Sequence, residues 1–318
     1  MTDTELRASF ARVRTEVGKA VVAQDAAVSG LIVALLAGGH VLLEGVPGVA
    51  KTLLVRALSQ SLSLRTTRVQ FTPDLMPGDV TGSVVYDPKS GDFEFRAGPV
   101  FTNILLADEI NRTPPKTQSS LLEAMEERQV SVDGTSHPLP HPFMVAATQN
   151  PVEYEGTYSL PEAQLDRFLL KLVLDIPARD DEVEVLQRHA DGFNPRDLAG
   201  AGVTAVLGVD DITAARAAVA RVGATPEVLG YVVDLARATR QSPSVQLGVS
   251  PRGTTALLAA AKAWAWLSGA EAITPDHVQA MLLPVWRHRV ALRPEAELEG
   301  VSADTILRSI VNQVQVPL

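Results

Sequence analysis

The stretch LLEGVPGVAKTLL, residues 42 to 54, carries the residue types that hold a chain of phosphates. It follows the pattern G-x-x-x-x-G-K-[ST], except that Ala50 stands at the second glycine. Gly45 permits a tight turn out of a strand, and Gly48 lets the backbone approach an anion closely and take a positive φ. The free N–H groups that open the next helix would face the phosphates. In such a loop Lys51 pairs with the β- and γ-phosphates of a nucleotide and Thr52 ligates Mg²⁺, while Val46, Pro47, Val49, Ala50 and Leu53 complete the cradle. Alanine is tolerable at position 50 if that residue already has helical dihedrals, because alanine favours helix. That is the expectation here.

Further polar groups follow apolar runs. NILLADEINR, residues 103 to 112, ends a strand-like run in Asp108-Glu109. Asp108 is placed to hold Mg²⁺ and Glu109 to polarise an attacking water. The plainer reading, two solvated acids capping a strand, loses force beside a phosphate loop some sixty residues upstream. FMVAATQNP, residues 143 to 151, ends in Asn150, which can orient a water near the γ-phosphate or simply form an Asn-Pro turn. In LPEAQLDRF, Arg167 either pairs with Asp166 or neutralises transition-state charge in a neighbouring subunit. In SPRGT, Arg252 is a cation in the first turn of a helix, where it opposes the macrodipole, and a role on bound phosphate would account for it.

These groups need a scaffold that presents strand ends together. Five short apolar runs (VLLE, RVQF, NILLAD, FMVAAT and LLKLVLDI) alternate with helical stretches, notably AKTLLVRALSQSL and PPKTQSSLLEAMEERQ. That alternation predicts an α/β fold, a five-stranded parallel sheet sandwiched by helices. Residues 82–98, with Pro88-Lys89-Ser90-Gly91 at the turn, and residues 129–143, with Asp133-Gly134, read as two β-hairpins projecting from it. After Pro177 the chain is alanine-rich. Helices are expected over 179–190, 212–222, 226–241, 251–267, 275–289 and 303–311, several opening on Thr-Pro or Ser-Pro. The expected division is residues 1–177, nucleotide-binding, and residues 178–318, a helical second domain.

The 318 residues are 46 % hydrophobic and 20 % charged, enough for a sizeable core, and the net charge of -9 repels nucleic acid and anionic lipid. Cysteine is absent, which excludes disulfides, thiolate metal sites and cysteine nucleophiles. His137 and His141 are separated by prolines that forbid the helix needed to align them on a metal. The N-terminal stretch scatters its charges and has no apolar h-region, and the apolar window from Val28 is broken by Gly38-Gly39-His40. A cytoplasmic protein with no membrane span is the expectation.

Together LLEGVPGVAKT, QFTPDLMPGDVTG, GPVFTNILLADEINRTPPKTQSSLLEAMEERQV, ATQNP, LPEAQLDRF and SPRGT resemble the MoxR family of AAA+ ATPases over nearly the whole chain. An A-K-T ending of the loop is normal in that family. The resemblance implies a P-loop NTPase fold with an all-α C-terminal lid, ATP and Mg²⁺ as cofactors, and hydrolysis of ATP to ADP and phosphate. It gives Lys51 and Thr52 the Walker A roles, Asp108 and Glu109 the Walker B roles, and Asn150 the first sensor. Arg167 resembles the arginine finger acting in trans, and Arg252 the second sensor reaching the nucleotide from the lid. Val22 and Gln24 lie in the stretch that resembles the adenine contact, although relatives usually show glycine where Ala23 stands. The hairpins match the helix-2 and pre-sensor-one inserts. The implied activity is an ATP-driven chaperone assembled as a ring, often a hexamer, working with von Willebrand factor A domain proteins. A nucleic-acid motor on the same fold and a slow ATP-switched adaptor are the competing readings. The acidic balance, the lack of an added DNA-binding module and the absence of a G-A-F-T-G-A loop weigh against the first. The intact Glu109, Asn150, Arg167 and Arg252 weigh against the second.

Overall fold

The computed structural model describes residues 1–89, 91–151 and 157–317; Ser90, at the expected tip of the first hairpin, lies outside them. The chain opens with helices α1 (Asp3–Gly18) and α2 (Asp25–Ala37), followed by strand β1 (Val41–Glu44). Helix α1 starts at Thr2, whose hydroxyl accepts from the Glu5 amide while the Glu5 carboxylate accepts from the Thr2 amide. Helix α2 is apolar almost all round, as befits a helix buried on several sides, and stops at Gly38 with φ 73°. Then come α3 (Lys51–Ser61), β2 (Thr66–Gln70), α4 (Pro77–Thr81), β3 (Gly82–Tyr86), β4 (Phe93–Ala97), β5 (Ile104–Asp108) and α5 (Pro115–Glu127). Next are β6 (Gln129–Val132), β7 (Thr135–Pro138), β8 (Met144–Gln149), α6 (Glu162–Leu165) and β9 (Leu170–Val173).

Strands β2, β5, β8, β1 and β9 form one parallel sheet in that order. Alternation along the strands divides the core into two layers. Val41, Leu43, Ile104, Leu106, Met144 and Ala146 face the layer shared with α1, α2 and α3. Leu42, Leu105, Ala107, Val145 and Ala147 face the other, with Leu121, Leu122 and Met125 of α5. Each fully buried Leu, Ile or Val contributes about 1.5–3 kcal/mol relative to exposure, so both faces resist any slip in register.

The hairpins form as expected, β3 with β4 and β6 with β7. Asp133 and Gly134 turn the second with φ 49° and 77°, the positive values a two-residue hairpin loop requires. Phe95 of the first hairpin stacks on His137 of the second at 3.9 Å.

The remaining elements are α7 (Arg179–Ala190), α8 (Val209–Ala220), α9 (Pro226–Gln241), β10 (Val245–Leu247), α10 (Pro251–Leu267), α11 (Pro275–Trp286), β11 (Ala291–Leu292), α12 (Pro294–Leu298) and α13 (Ala303–Gln313). Thr225 and Ser250 cap α9 and α10 with their hydroxyls, each followed by proline. A two-stranded antiparallel ribbon, β10 with β11, sits among these helices and was not legible from periodicity. Trp266 of α10 meets Phe10 of α1 edge-on at 5.9 Å, so the first core layer runs on into the C-terminal helices.

Candidate functional site

A parallel sheet brings the ends of its strands to a common edge. Glu44 ends β1, Asp108 ends β5 and Gln149 ends β8, so Gly45–Thr52, Glu109 and Asn150 gather at the C-terminal edge. Glu109 and Asn150 line a cavity of about 370 Å³ with Pro47, Gly48, Ala50, Lys51, Thr52, Arg68, Gln70, Asp108 and Thr148.

In the loop, a Cβ on Gly45 would lie 2.6 Å from the Leu174 carbonyl oxygen, so only glycine fits there. Gly48 has φ +92°. The expectation for Ala50 is corrected: its φ of 62° and ψ of 22° are left-handed, not right-handed helical. Its methyl group is therefore tolerated at a conformational cost of about 1 kcal/mol, not accommodated for free. Ala23 likewise has φ 56°, a left-handed conformation that favours glycine. Lys51 opens α3 and donates from Nζ to the carbonyls of Gly45 and, at 3.2 Å, Val46. Burial pulls its pKa down, against the opposing fields of Asp108, Glu109 and Glu44.

The acids are tightly held. Thr52 Oγ1 donates to Asp108 Oδ2 at 3.2 Å, and Thr148 Oγ1 donates to Asp108 Oδ1 at 2.5 Å. Arg68, on edge strand β2, clasps Asp108 Oδ2 from Nε at 3.0 Å and Nη2 at 2.7 Å. Glu109 has φ 56° and its amide donates to Thr148 Oγ1 at 2.8 Å. Its carboxylate accepts from Gln70 Nε2 at 2.9 Å and Arg112 Nη1 at 3.1 Å. A hydroxyl beside a carboxylate, with no softer ligand, is a donor set that suits Mg²⁺, and a cation there would share Asp108 with Arg68. Sequence reading missed Arg68, Gln70 and Thr148. Arg68 and Gln70 lie in a run read only as strand, and their partners are 40 and 39 residues away.

Beside the loop lies a second, mostly apolar cavity of about 550 Å³. Val22, Gln24, Gly48, Val49, Ala50 and Leu53 line one side of it. The facing wall, Val185, Leu186, His189 and Phe193, comes from α7 and the turn after it and was not anticipated. No residue of α7 is fully buried, and its apolar side chains serve this wall.

Arg167 and Arg252 do not join these groups. Arg167 precedes β9, and the Leu169 amide donates to His40 ahead of β1, so Arg167 belongs to the N-terminal edge of the sheet. Strands of four residues at about 3.3 Å each put that edge more than ~13 Å from the loop. Arg167 Nε pairs with Glu126 at 2.8 Å rather than with Asp166. Arg252 Nη1 pairs with the same Glu126 at 3.2 Å and its Nε lies 3.8 Å from Asp166. Arg252, expected to reach the nucleotide from the lid, stands here at the opposite edge beside Arg167. Its conflict with the helix dipole is offset by these two carboxylates. Both arginines line a cavity of about 310 Å³ together with Arg128, Arg289 and His40.

Among the described residues, no cluster of three or more His, Asp or Glu has metal-binding geometry, and no helix is long and apolar enough to cross a membrane.

Comparison with known proteins gives a consistent result. Residues 40–170 match the family described as ATPase family associated with various cellular activities (AAA), and residues 237–310 match the AAA lid domain. The chain is 50 % identical to the uncharacterized protein YeaC of Bacillus subtilis over 96 % of its length and 92 % of that protein. It is 39 % identical to chaperone MoxR1 of Mycobacterium tuberculosis over 95 % of its length and 81 % of that chain. A crystal structure of a candidate ATPase from Cytophaga hutchinsonii superposes with a TM-score of 0.90 at 38 % identity, covering 99 % of this chain and 97 % of that one.

Proposed function

The chain belongs to the MoxR family of AAA+ ATPases, and from that premise we propose that it hydrolyses ATP in a ring and uses the cycle to remodel partner proteins. The observation that carries the reading is the gathering of Lys51, Thr52, Asp108, Glu109 and Asn150 around one cavity that opens beside an apolar one. The adenine enters the apolar cavity against Val22, Gln24 and the α7 wall. The phosphates lie on the loop, where Lys51 exchanges the Gly45 and Val46 carbonyls for phosphate oxygens. Mg²⁺, held by Thr52 and Asp108, would neutralise charge on those oxygens. Glu109 accepts the proton of the water that attacks the γ-phosphorus, Asn150 orients that water, and the bond to the β-phosphate oxygen breaks to release ADP.

Among the described residues, the cations lining this cavity are Lys51 and Arg68, and Arg68 is engaged by Asp108. Arg167 and Arg252 sit together at the far edge of the sheet, and in our reading both serve the site of the adjoining protomer. That placement favours a closed ring, with a hexamer as the proposed size. The boundary near residue 177 is the proposed hinge between the nucleotide-binding part and the lid. The proposed client or co-factor is a von Willebrand factor A domain protein, in the cytoplasm.

The slow-switch reading retains one observation, the Arg68 and Gln70 contacts that hold both acids. Binding and turnover measured on two variants test the proposal. Lys51→Ala is expected to lose ATP binding. Glu109→Gln is expected to bind ATP as the parent does and to turn over about 10²–10⁴-fold more slowly. ATP affinity unchanged in Lys51→Ala, or normal turnover in Glu109→Gln, would refute the assignment.

A further inference from the structure

Arg289 lies just beyond α11, and its side chain is 3 % exposed. A guanidinium with no water around it must spend its donors on protein acceptors. Most of those acceptors fall on one short segment. Nε donates to Asp166 Oδ1 at 2.6 Å, and Nη2 to the carbonyls of Asp166 at 3.1 Å and Phe168 at 2.7 Å. Nη1 donates to the Leu169 carbonyl at 3.1 Å and to Val285 in its own helix. The residues on both sides of Arg167 are thus gripped by one side chain from the C-terminal helices. Room for its stem comes from Gly253, next to Arg252: a Cβ there would lie 3.0 Å from Arg289 Cδ. Trp286 Nε1 donates to the Gly253 carbonyl at 2.8 Å and fixes that helix against the same place.

We propose that Arg289 is a positioning residue that sets where Arg167 stands and ties that position to the lid. The inference rests on the reading of Arg167 as serving the adjoining protomer's site. Its consequence is directional: a change of lid angle in one protomer moves the arginine presented to the next. Lysine cannot replace Arg289, because one ammonium cannot span acceptors on Asp166, Phe168 and Leu169 at once.

The test is Arg289→Lys in the full chain. Hydrogen exchange at the Phe168 and Leu169 amides should quicken while Val41–Leu43 and Val145–Thr148 stay protected. ATP affinity should be unchanged and turnover should fall about 10²-fold, as for a misplaced group. Mixing with Glu109→Gln chains, which supply a well-placed Arg167, should restore turnover at the intact sites of the Arg289→Lys chains. Gly253→Ala, whose Cβ would press on Val249 Cγ1 at 2.8 Å as well as on Arg289 Cδ at 3.0 Å without removing a donor, should give the same pattern more weakly and serves if Arg289→Lys does not fold. Unchanged exchange at Phe168 and Leu169 overturns the proposal. So does turnover that mixing fails to restore while a mixture of Arg167→Ala and Glu109→Gln chains recovers. If that control mixture is silent as well, it is the reading of Arg167 in trans that falls, and the exchange result alone decides the role of Arg289.

Discussion

Two residues show opposite ways in which a single position sets stability. Ala50 is left-handed where the phosphate-loop pattern has glycine. Glycine there would relieve about 1 kcal/mol of strain and lose part of that gain to its freer unfolded chain. Ala50→Gly is therefore expected to raise stability by up to about 0.5 kcal/mol in urea unfolding; a lower midpoint would show that the methyl contact with the core outweighs the strain. His40 shows the opposite economy, a polar side chain fully satisfied in the core. Its Nδ1 accepts from the Val145 amide at 2.9 Å and its Nε2 reaches the Met125 carbonyl at 3.1 Å, so the ring must be neutral. Burial lowers its pKa to about 4. The stabilisation is complete above the unfolded value near 6.5 and is lost as pH falls toward 4, on the order of 3 kcal/mol at the limit. Unfolding free energies between pH 7 and 4 should fall less steeply in His40→Asn than in the parent, and parallel curves would contradict this.

Among the elements, α7 has the clearest functional consequence. It buries no residue fully, and Leu186 is 70 % exposed while lining the apolar cavity beside the loop. Leu186→Glu is expected to weaken ATP binding about tenfold with no loss of fold, because it puts a charge against an apolar wall that the core does not need. Calorimetry giving an unchanged Kd would remove α7 from the site. The elements themselves were largely legible in the sequence. The five strands alternate between two buried layers, and Thr225-Pro226, Ser250-Pro251 and Asp133-Gly134 carry their structure in local chemistry. The loop and the two acids were legible for the same reason, since each is a strand end with a polar residue just beyond. What spacing could not carry was distance across the fold. Arg68 finds Asp108 from 40 residues away, and Arg289 finds Asp166 from 123. The place of Arg252 beside Arg167 was not legible, because the seating of α10 depends on tertiary packing and not on the SPRGT motif that carries it.

At the scale of the whole molecule, the sheet separates two groups of charged residues. One edge holds Lys51, Asp108 and Glu109; the other holds Arg167 and Arg252, both held by Glu126 within the chain. In the proposed ring, assembly would draw the arginines from Glu126 toward the neighbour's phosphates. Arg167→Ala should therefore bind ATP normally and hydrolyse it poorly, and recover turnover when mixed with Glu109→Gln; failure to recover would place Arg167 outside the neighbour's site. The most direct measurement is ATP turnover per chain across a dilution series, with the state of assembly followed by sedimentation. The account predicts turnover that is low in the monomer and climbs by about 10³-fold in step with assembly. A per-chain rate that stays the same from monomer to ring would contradict it.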